Sequence, residues 1–190
     1  MTDLNNKKRI LLHSCCGPCS TAVIRRLMEN YNVSVFYFNP NITNPEEYEL
    51  RKSEQIRFLN EFHVSTGETI DFIEGDYNPA VYYSAVEGME QEPEGGLRCA
   101  ICFRLRLEET VRQAKDGEFD CFDTTLTVSP HKNFKVISEI GRALEKEYGV
   151  AYIGGNYKKQ DGYKLSIEMS KEYGLYRQHY CGCEFSEACL

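Results

Sequence analysis

No stretch of this sequence is apolar for long enough to cross a membrane or to form the core of a signal peptide. The run Ile10–Leu12 near the start is short, and the stretch before it, Met1–Arg9, is polar. Membrane insertion and export are therefore not expected, and a cytoplasmic location is. An excess of positive charge is missing too. The net charge is −7, from 22 basic and 29 acidic side chains, so charge alone does not announce a nucleic-acid binder. The acid surplus belongs to residues 1–97, with 8 basic against 15 acidic side chains, whereas residues 98–190 carry 14 of each. Any nucleic-acid surface should draw on the second half. There is no internal repeat and no linker, and 190 residues of 42% hydrophobic content suit one well-cored domain over 1–190.

Cysteine is what the chain has in quantity. There are nine, an odd number, and without an export signal they belong to a reducing compartment, where structural disulfides are disfavoured. Seven fall into three tight clusters: Cys15, Cys16 and Cys19 around Gly17-Pro18; Cys99 and Cys102; and Cys181 and Cys183 around Gly182. Two C-x-x-C pairs plus a C-x-C in a small chain point strongly to metal. A single zinc needs only four thiolates, usually on glycine-bearing hairpins, and both pairs here run into expected helices. A [4Fe–4S] cluster would leave three cysteines over, for a second metal or for a pair that cycles to a disulfide. Structural zinc stays open. So does a thioredoxin-type C-x-x-C, which Gly17-Pro18 favours and the vicinal Cys15 disfavours. Cys121 reads as a small buried apolar residue in a strand, and neither it nor Cys189 is given a role.

Hydrophobic patterning alternates short strands with helices. Strands are expected at Arg9–His13, Val33–Phe38, Thr69–Ile73, Phe119–Val128 and Val150–Ile153. Helices are expected at Ser20–Asn30, Pro45–Phe62, Cys99–Lys115, Asn133–Tyr148 and Ser166–Tyr173. This order indicates an α/β fold: a single, mostly parallel Rossmann-like sheet with helices on both faces. Residues 75–98, acidic and glycine-containing, read as an insertion or lid loop. The first cysteine cluster then lies at the carboxyl end of the first strand, where such sheets bind ligands, and at a helix N-terminus, which favours thiolate. Nucleotide-binding relatives of such sheets carry a glycine-rich phosphate loop there. Thiols stand in its place, so ATP or dinucleotide binding is not expected.

Six segments, in order, resemble the epoxyqueuosine reductase family of the QueH type: LLHSCCGPCS (11–20), FYFNPNI (36–42) with PEEYELRK (45–52), RCAICFRLRL (98–107), FDTTLTVSPHKN (122–133), GGNYKKQDGY (154–163) and YRQHYCGC (176–183). They span nearly the whole chain. The resemblance implies an oxidoreductase that converts epoxyqueuosine to queuosine at the wobble position of a tRNA with a GUN anticodon. It also implies a [4Fe–4S] cluster and an electron donor whose identity it leaves open. Carried over residue by residue, the ligands would be Cys15, Cys16, Cys99 and Cys102. Cys181 and Cys183 would form a redox-active pair or, with Cys19, hold a second iron; by spacing, Cys181 is equally allowed as a cluster ligand.

Such chemistry needs a proton donor for the departing oxygen. Asp123 is the first candidate, with a hydrogen bond to Thr125 or a turn cap as its alternative role. Tyr163, Tyr180 and His131 come next, and His13 reads as core or as support behind the ligands. Lys158, Lys159, Lys164 and Arg177 are candidates for phosphate contacts, and Tyr157 or Tyr163 for stacking on an unpaired base. Asn39 and Asn41 would orient the substrate diol or simply build the turn. Arg51 and Lys52 read as surface charges.

Overall fold

The apolar run Ile10-Leu11-Leu12 is wholly buried and forms the centre of strand β1 (Lys8–His13), with a parallel strand on each side. The computed structural model describes residues 7–187, so Cys189 and the start of the polar N-terminal stretch lie outside the described residues. The remaining strands are β2 (Tyr31–Tyr37), β3 (Asp71–Glu74), β4 (Cys121–Thr124) and β5 (Ala151–Tyr152). They form one five-stranded sheet of order β3-β2-β1-β4-β5, parallel throughout.

Helices cover both faces, as the patterning implies. On one face lie α1 (Gly17–Leu27), α2 (Pro45–Thr66) and α6 (Gly162–Glu172). Val23, Ile24 and Leu27 of α1 meet Phe58, Leu59 and Phe62 of α2 there. Each such side chain stabilises the fold by about 1.5–3 kcal/mol when fully buried. On the other face α4 (Leu97–Asp116) and α5 (Phe134–Tyr148) bury Phe103, Leu107, Val111, Ile137 and Leu144. Helix α2 starts at Pro45 because Asn44 caps it, its side chain accepting from the Glu46 and Glu47 amides. Gly17 lets α1 approach α2: a Cβ there would sit 3.1 Å from the Glu54 carbonyl oxygen.

Two expectations change. Residues 75–98 are not all loop, since Pro79–Ala85 form helix α3, capped by Asn78. The strand expected over 119–128 stops at Thr124, whose hydroxyl accepts from the Leu126 amide and turns the chain into one 3₁₀ turn, Thr125–Val128. A last short helix, α7 (Glu184–Glu187), follows the third cysteine cluster. The strand order reverses direction beside β1, so the loops after β1 and β4 share the sheet's topological switch point. Among the described residues no helix is long and apolar enough to cross a membrane.

Candidate metal centre and active site

The loop leaving β1 delivers Cys15 and Cys16 to that switch point. Cys16 is extended (φ −173°) and caps α1, and Cys19 follows in the first turn. The Sγ atoms of Cys15, Cys16 and Cys19 lie within 4.8 Å of one another. Hydrogen bonds from Cys16 and Cys19 hold the Cys15 thiol well below its ordinary value. The bond with Cys15 pushes Cys16 up to about 12 and raises Cys19 as well. From the far end of the chain, Gln178 Nε2 donates to Cys16 Sγ at 2.9 Å.

Cys99 and Cys102 lie one turn apart on α4 and share a small cavity, about 10 Å³, with Cys181 and Cys183. Burial raises both α4 thiols, Cys102 to about 12. The Gly95 amide donates to Cys99 Sγ at 3.2 Å. The third cluster is drawn in by Arg51, which donates to the carbonyls of Cys181 and Tyr180 at 3.0 and 3.3 Å, and by Thr43, whose amide bonds the Gly182 carbonyl at 3.1 Å. The two thiol groups adjoin: Cys99 packs against the core that contains Cys15 and Cys16, and the buried Arg106 lines the small cavity with Cys99, Cys102, Cys181 and Cys183.

Over these thiols opens a cavity of about 560 Å³, within the range of small-molecule sites. Cys19 and Cys181 line it beside Lys132, Tyr163, Arg177 and Tyr180. Burial opposes the charge on Lys132, but the sulfur atoms of Cys181, Cys15 and Cys19 more than offset this, and its ammonium is held above the ordinary lysine value. The donor set fits a thiophilic metal centre: three soft ligands within 4.8 Å, four more on the adjoining cavity, and Arg106 and Lys132 on the walls of the two cavities.

Several expected site residues stand elsewhere. The Asp123 carboxyl is fully buried and accepts from Tyr157 Oη (2.6 Å), the Gly155 amide (3.1 Å) and the Thr124 amide (2.8 Å). It is not among the residues lining the large cavity, and burial raises it to about 6 despite those donors. Tyr157, spent on Asp123 and buried, has no face free for a base. Asn39 and Asn41 are buried as well; Asn39 Nδ2 donates to the Ser14 carbonyl at 2.8 Å, while Asn39 Oδ1 and both amide atoms of Asn41 are buried with no partner. Arg51 is 1% exposed, not a surface charge. His13 is buried against Thr124 and the Phe38 carbonyl, and burial lowers it to about 3, so it is a neutral core residue. Lys158 spends its ammonium on the Lys132 carbonyl at 2.9 Å, outside the cavity lining. Tyr163, Tyr180, His131 and Arg177 do line the cavity. Reasoning from cysteine spacing missed Lys132, Gln178 and Arg106, although all three lie within the family-like segments.

The family model described as epoxyqueuosine reductase QueH matches residues 10–189. The epoxyqueuosine reductase QueH of Streptococcus pyogenes serotype M1 is 43% identical over 177 residues, covering 93% of this chain and 69% of that protein. That of Thermotoga maritima is 34% identical over 180 residues, covering 93% and 89%. Among solved structures, the U34-tRNA thiolase NcsA from Methanococcus maripaludis with its [4Fe-4S] cluster aligns with a TM-score of 0.56 at 14% identity, over 95% of this chain and 62% of that one. That likeness speaks for the fold alone. The matches cover both cysteine pairs, the C-x-C and the strand ends that carry them, and the chain belongs to the epoxyqueuosine reductase QueH family.

Proposed function

We propose that this chain is an oxidoreductase that reduces epoxyqueuosine to queuosine at the wobble position of tRNA. The observation that carries the reading, beside family membership, is the gathering of seven cysteines beside two adjoining cavities: Cys15, Cys16 and Cys19 within 4.8 Å of one another, Cys99, Cys102, Cys181 and Cys183 around the small cavity, and Cys19 and Cys181 on the wall of the large one. Opening an epoxide to an alkene consumes two electrons and two protons and releases the oxygen as water. When bound, a [4Fe–4S] cluster supplies electrons one at a time, and a second iron adds Lewis acidity toward oxygen.

Cys15, Cys16, Cys99 and Cys102 are the ligands we assign to the cluster. They leave Cys19 and Cys181 at the cavity wall, nearest the substrate. Cys181 with Cys183 can act as the two-electron store: the two thiols close to a disulfide and give up two electrons and two protons, which matches the demand of the epoxide. A ring across one glycine is strained and hence readily reduced again by the external electron donor. In the competing reading these two cysteines, with Cys19, hold the second iron. Lys132, kept cationic at the cavity wall, is the group we assign to protonate the departing oxygen, in place of Asp123. Arg177, His131 and His179 rim the cavity and suit phosphate contacts, and Tyr163, 36% exposed on its wall, suits stacking on an extruded base.

The test is anaerobic reconstitution with iron and sulfide, then incubation with an epoxyqueuosine-bearing anticodon stem–loop and a reductant. Mass spectrometry should find the nucleoside lighter by one oxygen atom. Full iron and sulfide content without that product would overturn the reading. Mössbauer spectra showing only one four-iron species would remove the second iron and leave the Cys181–Cys183 pair.

A further inference from the structure

Among the described residues three arginines are almost fully buried, and Arg106 is the one held by a single hydrogen bond. Arg51 meets the Glu47 carboxylate at 2.6 Å and two carbonyls. Arg98 donates to the carbonyls of Met89, Glu90 and Glu92. Arg106, 1% exposed, has one hydrogen bond, from Nε to the Cys102 carbonyl at 3.3 Å, and stands 5.7 Å from the centroid of the Phe103 ring. One of its terminal nitrogens is buried with no partner. No carboxylate forms an ion pair with it among the described residues.

A guanidinium stays charged under all physiological conditions, and leaving such a charge buried without an anion is strongly destabilising. The cavity beside Arg106 is rich in sulfur, and Arg98 and Glu94 line it as well. Arg106 lines this small cavity with Cys99, Cys102, Cys181 and Cys183, and it sits four residues after Cys102, on the same face of α4. Those four cysteines come from two separate segments of the chain, α4 and the C-x-C turn.

We propose that Arg106 is a positioning residue, the fixed countercharge of the cysteine-held centre, which raises that centre's reduction potential by stabilising its more negative, reduced state. The inference rests on the iron–sulfur reading given above. Each added electron increases the negative charge on a buried thiolate-ligated site. A permanent cation in the same low-dielectric pocket favours the reduced form over the oxidised one. The unpartnered terminal nitrogen is the donor left to face that site.

The test compares wild type, Arg106→Gln and Arg106→Lys, each reconstituted anaerobically, in redox titrations followed by electron paramagnetic resonance. At a fixed solution potential, Arg106→Gln should hold the reduced form at a ratio to the oxidised form at least tenfold below wild type. For a one-electron couple that is a drop of about 59 mV in midpoint. Arg106→Lys, which keeps the charge, should lie within tenfold of wild type. An unchanged midpoint in loaded Arg106→Gln would overturn the proposal, as would a lysine variant that shifts as far as the glutamine one. Should Arg106→Gln take up no iron, loading decides: Arg106→Lys that loads supports a charge role, and Arg106→Lys that also fails to load overturns it. A wild-type protein that forms no iron–sulfur centre would instead sink the reading on which the inference rests, so the two failures are distinct.

Discussion

The side-chain amide of Gln178 lies 2.9 Å from the sulfur of Cys16 and joins the two ends of the chain across the site. Cys16 is fixed by the first strand and its helix, whereas Gln178 arrives from the segment that also carries Cys181 and Cys183. This N–H···S bond ties the third cysteine cluster directly to the first, beside the Arg51 and Thr43 anchors. Groups that orient a ligand from behind it typically change metal affinity or activity by about 10–100-fold when removed. Gln178→Leu is expected to lose iron to a chelator faster by about that factor, with the fold retained by circular dichroism. Chelation rates equal to wild type would remove this role from Gln178.

Lys132 gives the second prediction. Its ammonium stands on the cavity wall near Cys19 and Cys181 and is held in the charged form. A positioned proton donor contributes typically ~10²–10⁴-fold to a rate. Lys132→Gln should lower kcat by about that much while iron and sulfide content stay at the wild-type level. Asp123→Asn, at a residue that does not line the cavity, should leave kcat within a few-fold. Single-turnover measurements on the loaded variants separate the two assignments, and the reverse ranking would return the acid role to Asp123.

The third prediction concerns Gly182, between the last two clustered cysteines. Its φ is +109°, and a Cβ added there would meet Ile42 Cγ1 at 2.9 Å and Arg51 Nη1 at 3.2 Å. Backbone strain of this kind costs about 1–3 kcal/mol. For a domain of this size that corresponds to a fall in Tm of roughly 2–12 °C. Gly182→Ala should show that fall in differential scanning calorimetry, together with a reduced iron content, because the Arg51 anchor to the Cys181 carbonyl must shift. A variant with unchanged Tm would mean that the turn can relax.

Much of this was legible in the sequence, for physical reasons. The strand–helix alternation and the cysteine spacings are local signals, and the family-like segments carry them in order. What escaped was set by tertiary context. Thr124 ends β4 with its own hydroxyl, so a β-branched run that favours strand becomes a 3₁₀ turn. Asn78-Pro79 is a capping signal masked by the acidic, glycine-containing loop that follows. Arg51 has the composition of a surface residue, and only the Glu47 partner four positions earlier hints at its burial. The direction of Asp123 could not be read either. Strand β4 is covered on both faces, so alternation does not reveal which side chain meets the cavity.

The buried Asp123 yields a prediction about pH. Its carboxyl has an ordinary value of 3.8 and is raised to about 6 in the folded protein, chiefly by burial, against the pull of Tyr157, Gly155 and Thr124. The folded state therefore keeps its proton where the unfolded chain has released it. The resulting stabilisation is fully present below pH 3.8 and is lost as pH rises through about 6. Between pH 4.5 and 7, wild type should lose about 2 kcal/mol relative to Asp123→Asn, whose amide does not titrate. The comparison cancels all other titrating groups that the two proteins share. Urea unfolding of the metal-free proteins at the two pH values measures it. A difference that stays constant, or that moves in favour of wild type as pH rises, would mean that the three donors outweigh burial and that Asp123 is ionised throughout this range.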